Sequence, residues 1–265
     1  MSLLGGYLSG KKSNNQKLLS IYLTAGFPAP EATLPLLETI AAAGADFIEL
    51  GIPFSDPLAD GPTIQEASQI ALKNGITLPQ ILKTLKEFKH NHDTPVLLMG
   101  YTNPFWQYGW EKLATDAKQA GASGFIIPDL PPEECHDIRK TLAAEELDLV
   151  FLATPNTPTQ RLKRINDLTN AFIYAVSITG VTGARERLPE ETKHFLKHLR
   201  QFSGYPVLVG FGISGPETAK TMSQFCDGVI IGSAIINCIS RHHELNAARE
   251  AVYQFVKSVK QALVT

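Results

Sequence analysis

The chain has 265 residues, 44% of them hydrophobic and 19% charged, with a formal net charge of −2. That balance describes a globular protein with a sizeable core and excludes disordered and fibrous classes. With charge so close to neutral there is no broad basic field for nucleic acid or anionic lipid, so an anionic ligand has to be held by a local site.

Short runs rich in β-branched and aliphatic residues recur about every thirty residues. In chain order they are LLSIYLTAG (18–26), FIELGIP (47–53), PVLLMGY (95–101), GFIIPD (124–129), DLVFLAT (148–154), FIYAVSI (172–178), PVLVGFG (206–212) and GVIIGSAI (228–235). Between them lie amphipathic segments with apolar residues at helical spacing, among them TLPLLETIAAAG, TIQEASQIALKNG, TLPQILKTLKEFKHNH, WEKLATDAKQAG, PPEECHDIRKTLAAEE and PEETKHFLKHLRQFSG. Several open with proline or an acid and several close at glycine, at Gly44, Gly121 and Gly204. Near-continuous apolar strands alternating with helices indicate a parallel sheet covered on its outer face. Eight such units predict an α/β protein, one (β/α)8 barrel domain over 1–265; an open doubly wound sheet competes, but no GxGxxG follows the first strand. In a barrel the loops after the strands build the active site, so functional residues are expected at the strands' C-terminal ends.

The second strand carries the first anomaly. In FIELGIP, Ile48, Leu50 and Ile52 share one face, and Phe47, Glu49 and Gly51 the other. With the apolar set under the helices, Glu49 points into the barrel, where burial should raise its pKa and let it give and take a proton. The plainer alternative is a structural glutamate paired with Lys or Arg, but none of the eight strand runs carries either residue. The loop behind it holds Pro53, Pro57 and Pro62, which stiffen it, and two acids, Asp56 and Asp60. Either aspartate could be a turn-former, and Asp60 could cap the next helix; the residues alone do not choose between them.

Three late strands end in small residues: Gly180 and Gly183, then Gly210, Gly212 and Gly215, then Gly232 with Ser233. Amides exposed by glycine, with a helix starting at Ser233, predict a phosphate site that needs no lysine. Other motifs fail on inspection. GGYLSGKK (5–12) has Lys12 where a P-loop needs Ser or Thr, and no strand precedes it. His194 and His198 are four apart but lack the glutamate of HExxH, and His242 and His243 have no cysteines near them, so no metal is expected. Cys135, Cys226 and Cys238 are scattered without CxxC spacing and are expected to be buried free thiols. The start has no apolar core of signal-peptide length, and no window reaches the ~18 apolar residues of a membrane span, so a cytoplasmic protein is expected.

Together these residues resemble the α-subunit family of tryptophan synthase. IELGIPFSDPLADGPTIQ is similar to the family's most distinctive signature, and LTAGFP, MGYTNP, GFIIPDLPPEE, SITGVTGAR, VGFGIS and GVIIGSAI extend the likeness over the whole chain. The resemblance implies a lyase of tryptophan biosynthesis that cleaves indole-3-glycerol phosphate to indole and glyceraldehyde 3-phosphate without a metal or organic cofactor in this chain. It places the catalytic carboxylates on Glu49 and Asp60. It places substrate contacts on Tyr22, Tyr101, Tyr174, Thr182, Gly183, Phe211, Gly212, Gly232 and Ser233, with Thr182 on a loop after strand six that closes toward Asp60. It also implies a pyridoxal-phosphate β subunit as partner in an α2β2 tetramer, with Asp56 and the loops after strands two and six as the contact surface. Tyr22 stands where phenylalanine is common in the family, and Phe27 where aspartate is frequent. The segment before residue 18 looks short and polar for the family, so a truncated or irregular first helix is expected. Two other readings are a barrel that mainly activates the β subunit, and another phosphosugar barrel enzyme.

Overall fold

The computed structural model describes residues 2–176, 189–210 and 212–264. The eight expected strands form and close on themselves, each parallel to the next: β1 (Leu18–Thr24), β2 (Phe47–Gly51), β3 (Val96–Met99), β4 (Gly124–Ile126), β5 (Asp148–Ala153), β6 (Ile173–Val176), β7 (Val207–Gly210) and β8 (Gly228–Ile231), with β8 back against β1. Each strand is shorter than its apolar run because the last residues of the run turn out of the ladder into the loop above.

The helices follow in chain order: α1 (Leu3–Ser13), α2 (Thr33–Ala42), α3 (Pro62–Lys73), α4 (Leu78–Lys89), α5 (Thr102–Tyr108), α6 (Trp110–Gln119), α7 (His136–Ala144), α8 (Thr159–Leu168), α9 (Glu190–Phe202), α10 (Pro216–Ser223), α11 (Ser233–Ser240) and α12 (Leu245–Val264). None of the described helices is long and apolar enough to cross a membrane. Two boundaries differ from expectation. PPEEC is not helical; α7 starts only at His136, because two prolines and the turns after them come first. Gly44 and Gly121 close their helices in the left-handed region (φ +100° and +84°), but α9 ends at Ser203 in an extended conformation and does not use Gly204.

Strand parity divides the core. Ile48, Leu50 and Ile52 join the layer between sheet and helices, whereas Phe47, Leu97, Ile126, Val150, Phe172 and Leu208 fill the barrel itself. Phe27 packs in the outer layer, 4% exposed, as a core residue.

The first helix is a regular one of eleven residues, not the irregular start expected. Ser2 caps it by accepting from the Gly5 amide at 2.9 Å, and Leu4 and Leu8 pack against Leu18 and Phe172, closing the lower mouth. GGYLSGKK lies within this helix, and its two lysines are used by buried acids. Lys11 reaches Asp46 Oδ1 at 2.6 Å and Lys12 lies 3.4 Å from Asp227 Oδ2. Cys135 and Cys226 are free and buried as expected, while Cys238 is half-buried.

Candidate active site

The upper mouth is the end to which the strands run, and the Glu49 side chain enters it from β2. Glu49 is fully buried. Its Oε1 accepts from Ser20 Oγ at 2.9 Å, and among the described residues Oε2 has no partner. Burial drives its pKa from the usual carboxyl range up to about 8, partly offset by the Ser20 hydrogen bond. Among the described residues no cation pairs with it, so the structural ion-pair alternative does not apply.

The two aspartates of the stiff loop have different surroundings. Asp56 is exposed and accepts from Ser55 beside it. Asp60 is partly buried, and its backbone fixes the turn: its N–H donates to the Pro57 carbonyl at 3.1 Å and its own carbonyl accepts from Gln65 Nε2 at 2.8 Å. It does not cap α3, whose N-cap is Gly61 with no side-chain cap and with Pro62 at the first helical position. Its carboxyl is therefore not consumed by local structure. Burial raises its pKa to about 6, against the Tyr101 hydroxyl, which favours the ionised form. That same hydroxyl accepts from the Ala59 amide at 2.9 Å and pins the loop over the mouth.

Three tyrosines enclose the two acids. Tyr22 is the register partner of Glu49 across β1 and β2. Its ring crosses over Gly51, where a Cβ would lie 2.2 Å from the hydroxyl, so the glycine is the space the tyrosine occupies. Tyr174 on β6 uses Gly210 on β7 in the same way, at 2.1 Å. Tyr22, Tyr101 and Tyr174 all have raised pKa values, first through burial and then through nearby negative charge. Asp60 contributes for all three, and Glu49 for Tyr22 and Tyr174. The carboxylates thus share one mouth with neutral hydroxyls.

The glycine rim is partly used and partly free. Gly215 and Ser214 give their amides to Thr218 Oγ1 (3.1 and 3.0 Å), so Gly215 is spent on capping α10. Gly212 adopts φ +77°, a conformation that favours glycine. Gly232 caps α11, and the amides of Ser233 and Ala234, in the first turn, have no carbonyl a turn earlier to bond. A Cβ on Gly232 would meet Ile64 at 3.4 Å and Tyr22 at 3.5 Å, so this helix start lies beside the carboxylate site. Thr182, Gly183 and Phe211, and the loop after β6 with Gly180, lie outside the described residues. Among the described residues no group of three or more His, Cys, Asp or Glu could hold a metal.

Ser20 and Thr24 were not singled out in the sequence, although each interrupts an apolar strand. Both share the inward face of β1 with Tyr22, by the same parity that marks Glu49.

Residues 8–264 match the family model described as "Tryptophan synthase alpha chain". The chain belongs to the tryptophan synthase alpha chain family. A family member from Marinobacter nauticus is 43% identical over 265 residues, covering 99% of this chain and 98% of the relative. Among solved structures of the family, tryptophan synthase subunit alpha from Legionella pneumophila is 38% identical with a TM-score of 0.92, covering 100% of this chain and 99% of that one. A chain of the tryptophan synthase complex from Pyrococcus furiosus is 36% identical with a TM-score of 0.84, over 92% and 98% of the two chains.

Proposed function

We propose that the chain cleaves indole-3-glycerol phosphate to indole and glyceraldehyde 3-phosphate by a retro-aldol reaction. The observation that carries the reading is the pairing of Glu49, whose pKa is about 8, with Asp60, whose pKa is about 6, in one barrel mouth. Near neutral pH the first is an acid and the second a carboxylate.

Glu49 gives its proton to C3 of the indole, which places positive charge at the ring nitrogen. The Asp60 carboxylate stabilises that charge. Glu49, now ionised, takes the proton from the glycerol hydroxyl next to the ring as the carbon–carbon bond breaks. The bonding electrons return to the ring, indole and the aldehyde separate, and Glu49 is again protonated. Positioned proton transfer of this kind is worth roughly 10²- to 10⁴-fold in rate. The family resemblance assigns the phosphate to the amides around Gly183, Gly212, Gly232 and Ser233, counts Phe211 among the substrate contacts and gives loop closure to Thr182; the indole ring is assigned to the mouth bounded by Tyr22, Tyr101 and Tyr174.

The proposed partner is a tryptophan synthase β subunit in an α2β2 assembly, where the pyridoxal phosphate belongs to the partner. The Pyrococcus furiosus relative belongs by name to a tryptophan synthase complex, and the exposed Asp56 on the loop after β2 suits a contact surface.

The test is steady-state indole release from indole-3-glycerol phosphate by the parent, Glu49→Gln and Asp60→Asn, each with and without β subunit. Both variants are expected to lose activity in both settings. Undiminished release by Glu49→Gln would remove the assignment, and release by no form of the chain, with β-subunit activity still raised, would leave an activator.

A further inference from the structure

The inward face of β1 carries three hydroxyls in succession, Ser20, Tyr22 and Thr24, all buried. Two of them are neighbours at the rim, with Thr24 Oγ1 3.4 Å from the Tyr22 hydroxyl. Ser20 lies deeper, in register with Phe47 rather than with Glu49. From there its Oγ meets Glu49 Oε1 at 2.9 Å, the one hydrogen bond to that carboxyl among the described residues, while Oε2 is left without a partner. The proposed reaction makes no use of this serine.

We propose that Ser20 is a positioning residue for Glu49: its hydroxyl holds Oε1 from below, fixes the carboxyl in one rotamer, and leaves Oε2 as the oxygen that exchanges the proton. The inference rests on the reading of Glu49 as the proton-transfer group.

The choice of a neutral donor matters. A lysine or arginine at this depth would hold the carboxyl ionised and remove its acid form. A purely apolar neighbour would leave the carboxylate with no donor after the proton has gone, at the full cost of an unsatisfied buried charge. A serine hydroxyl donates to the carboxylate and, by rotating, also accommodates the neutral acid. Among the described residues the titratable groups within reach of the Glu49 charge are Tyr22 on β1 and Tyr174 on β6, with Asp60 on the loop after β2 acting on the same two tyrosines; β3 contributes the apolar Leu97. Both tyrosines are pushed toward the neutral form, so an alkaline limb in the activity profile belongs to Glu49.

The experiment compares the parent, Ser20→Ala, Ser20→Thr and Glu49→Gln in the full chain, by pH profiles of kcat and kcat/KM for indole release. In parallel, infrared titration follows the carboxyl band that Glu49→Gln removes. Loss of one donor to the charged form should move the alkaline limb and the carboxyl titration of Ser20→Ala upward together by about one pH unit. Its kcat should fall about 10-fold with KM little changed, and Ser20→Thr, which keeps the hydroxyl, should stay near the parent. The proposal is overturned if the Ser20→Ala carboxyl titrates with the parent, or if Ser20→Thr behaves as Ser20→Ala does. If Glu49→Gln itself releases indole at the parent rate, the reading of the site fails instead, and the infrared titration still reports whether Ser20 governs Glu49.

Discussion

Buried acids occupy both mouths of this barrel, in opposite company. At the lower mouth Asp46 accepts from Lys11 and Lys260 at 2.6 and 2.5 Å and from the Leu19 amide at 2.7 Å. Asp227 there has Lys12 at 3.4 Å, Arg200 at 3.2 Å and the Val207 amide at 2.9 Å. At the upper mouth Glu49 has a single serine, and Asp60 has the Tyr101 hydroxyl. The lower acids tie the first and last helices to strand ends, and their charge is answered on the spot. The upper acids have no answering cation among the described residues, and their raised pKa values put both protonation states within reach near neutral pH. A buried charge without a partner costs stability, so its presence at the end of the barrel where the loops after the strands gather points to chemistry rather than to scaffolding. Asp148 marks the limit of that inference. It too has a pKa raised to about 6 and an unpartnered oxygen, but it sits at the lower end, where it accepts from Ser2 of the helix cap at 2.7 Å.

Four substitutions probe the contrast. Glu49→Gln should have the largest effect, a loss of roughly 10²- to 10⁴-fold in indole release, and it should also stabilise the fold. The folded pKa of about 8 lies above the ordinary 4.5, so the parent's contribution from this group is full below 4.5 and is lost as pH rises through 8. The unfolding free energy of Glu49→Gln, measured by calorimetry, should therefore exceed the parent's by more at pH 8.5 than at pH 5, by about 1.4 kcal/mol for each unit of separation realised. Asp46→Ala should do the reverse. Leaving Lys11 and Lys260 without their shared partner costs about 3–5 kcal/mol in denaturant unfolding, while the rate per folded molecule stays at the parent level. Asp60→Asn should lower indole release about 100-fold, as loss of a charge-stabilising group does; the folded pKa of Asp60, about 6, also lies above the ordinary 3.8, so the variant should be modestly more stable than the parent above pH 6 and no different below pH 4. The smallest effect is expected from Gly51→Ala, whose Cβ would lie 2.2 Å from the Tyr22 hydroxyl. Displacing that ring costs about 1–3 kcal/mol of stability and raises KM in the indole assay.

The barrel was legible because each strand is a short apolar run with no charge on its helix-facing side, and because eight such runs recur at even spacing. Glu49 was legible for the converse reason, as a charge at an inward position of β2. The first helix was not. Its helix-forming signal is weak, with Gly5, Gly6 and Gly10 within eleven residues, and what orders it is tertiary: Leu4 and Leu8 under the barrel, and lysines that find Asp46 and Asp227. Those acids lie 35 and 215 residues away along the chain, beyond any local pattern. Ser20 escaped notice because a serine in a strand reads as a neutral filler until its neighbour is known. Gly215 read as one more anion-binding glycine, and only the Thr218 hydroxyl shows that its amide is taken. The division of labour between Asp56 and Asp60 needed either the family resemblance or the fold, since both occupy the same stiff loop.

The central claim is that the two unpaired acids of the upper mouth work in opposite protonation states. The pH dependence of kcat/KM for indole release tests it most directly. The account predicts a bell with an acid limb near pH 6 from Asp60 and an alkaline limb near pH 8 from Glu49, the acid limb vanishing in Asp60→Asn. A profile that is flat from pH 5 to 9, or an acid limb that survives in Asp60→Asn, would contradict it.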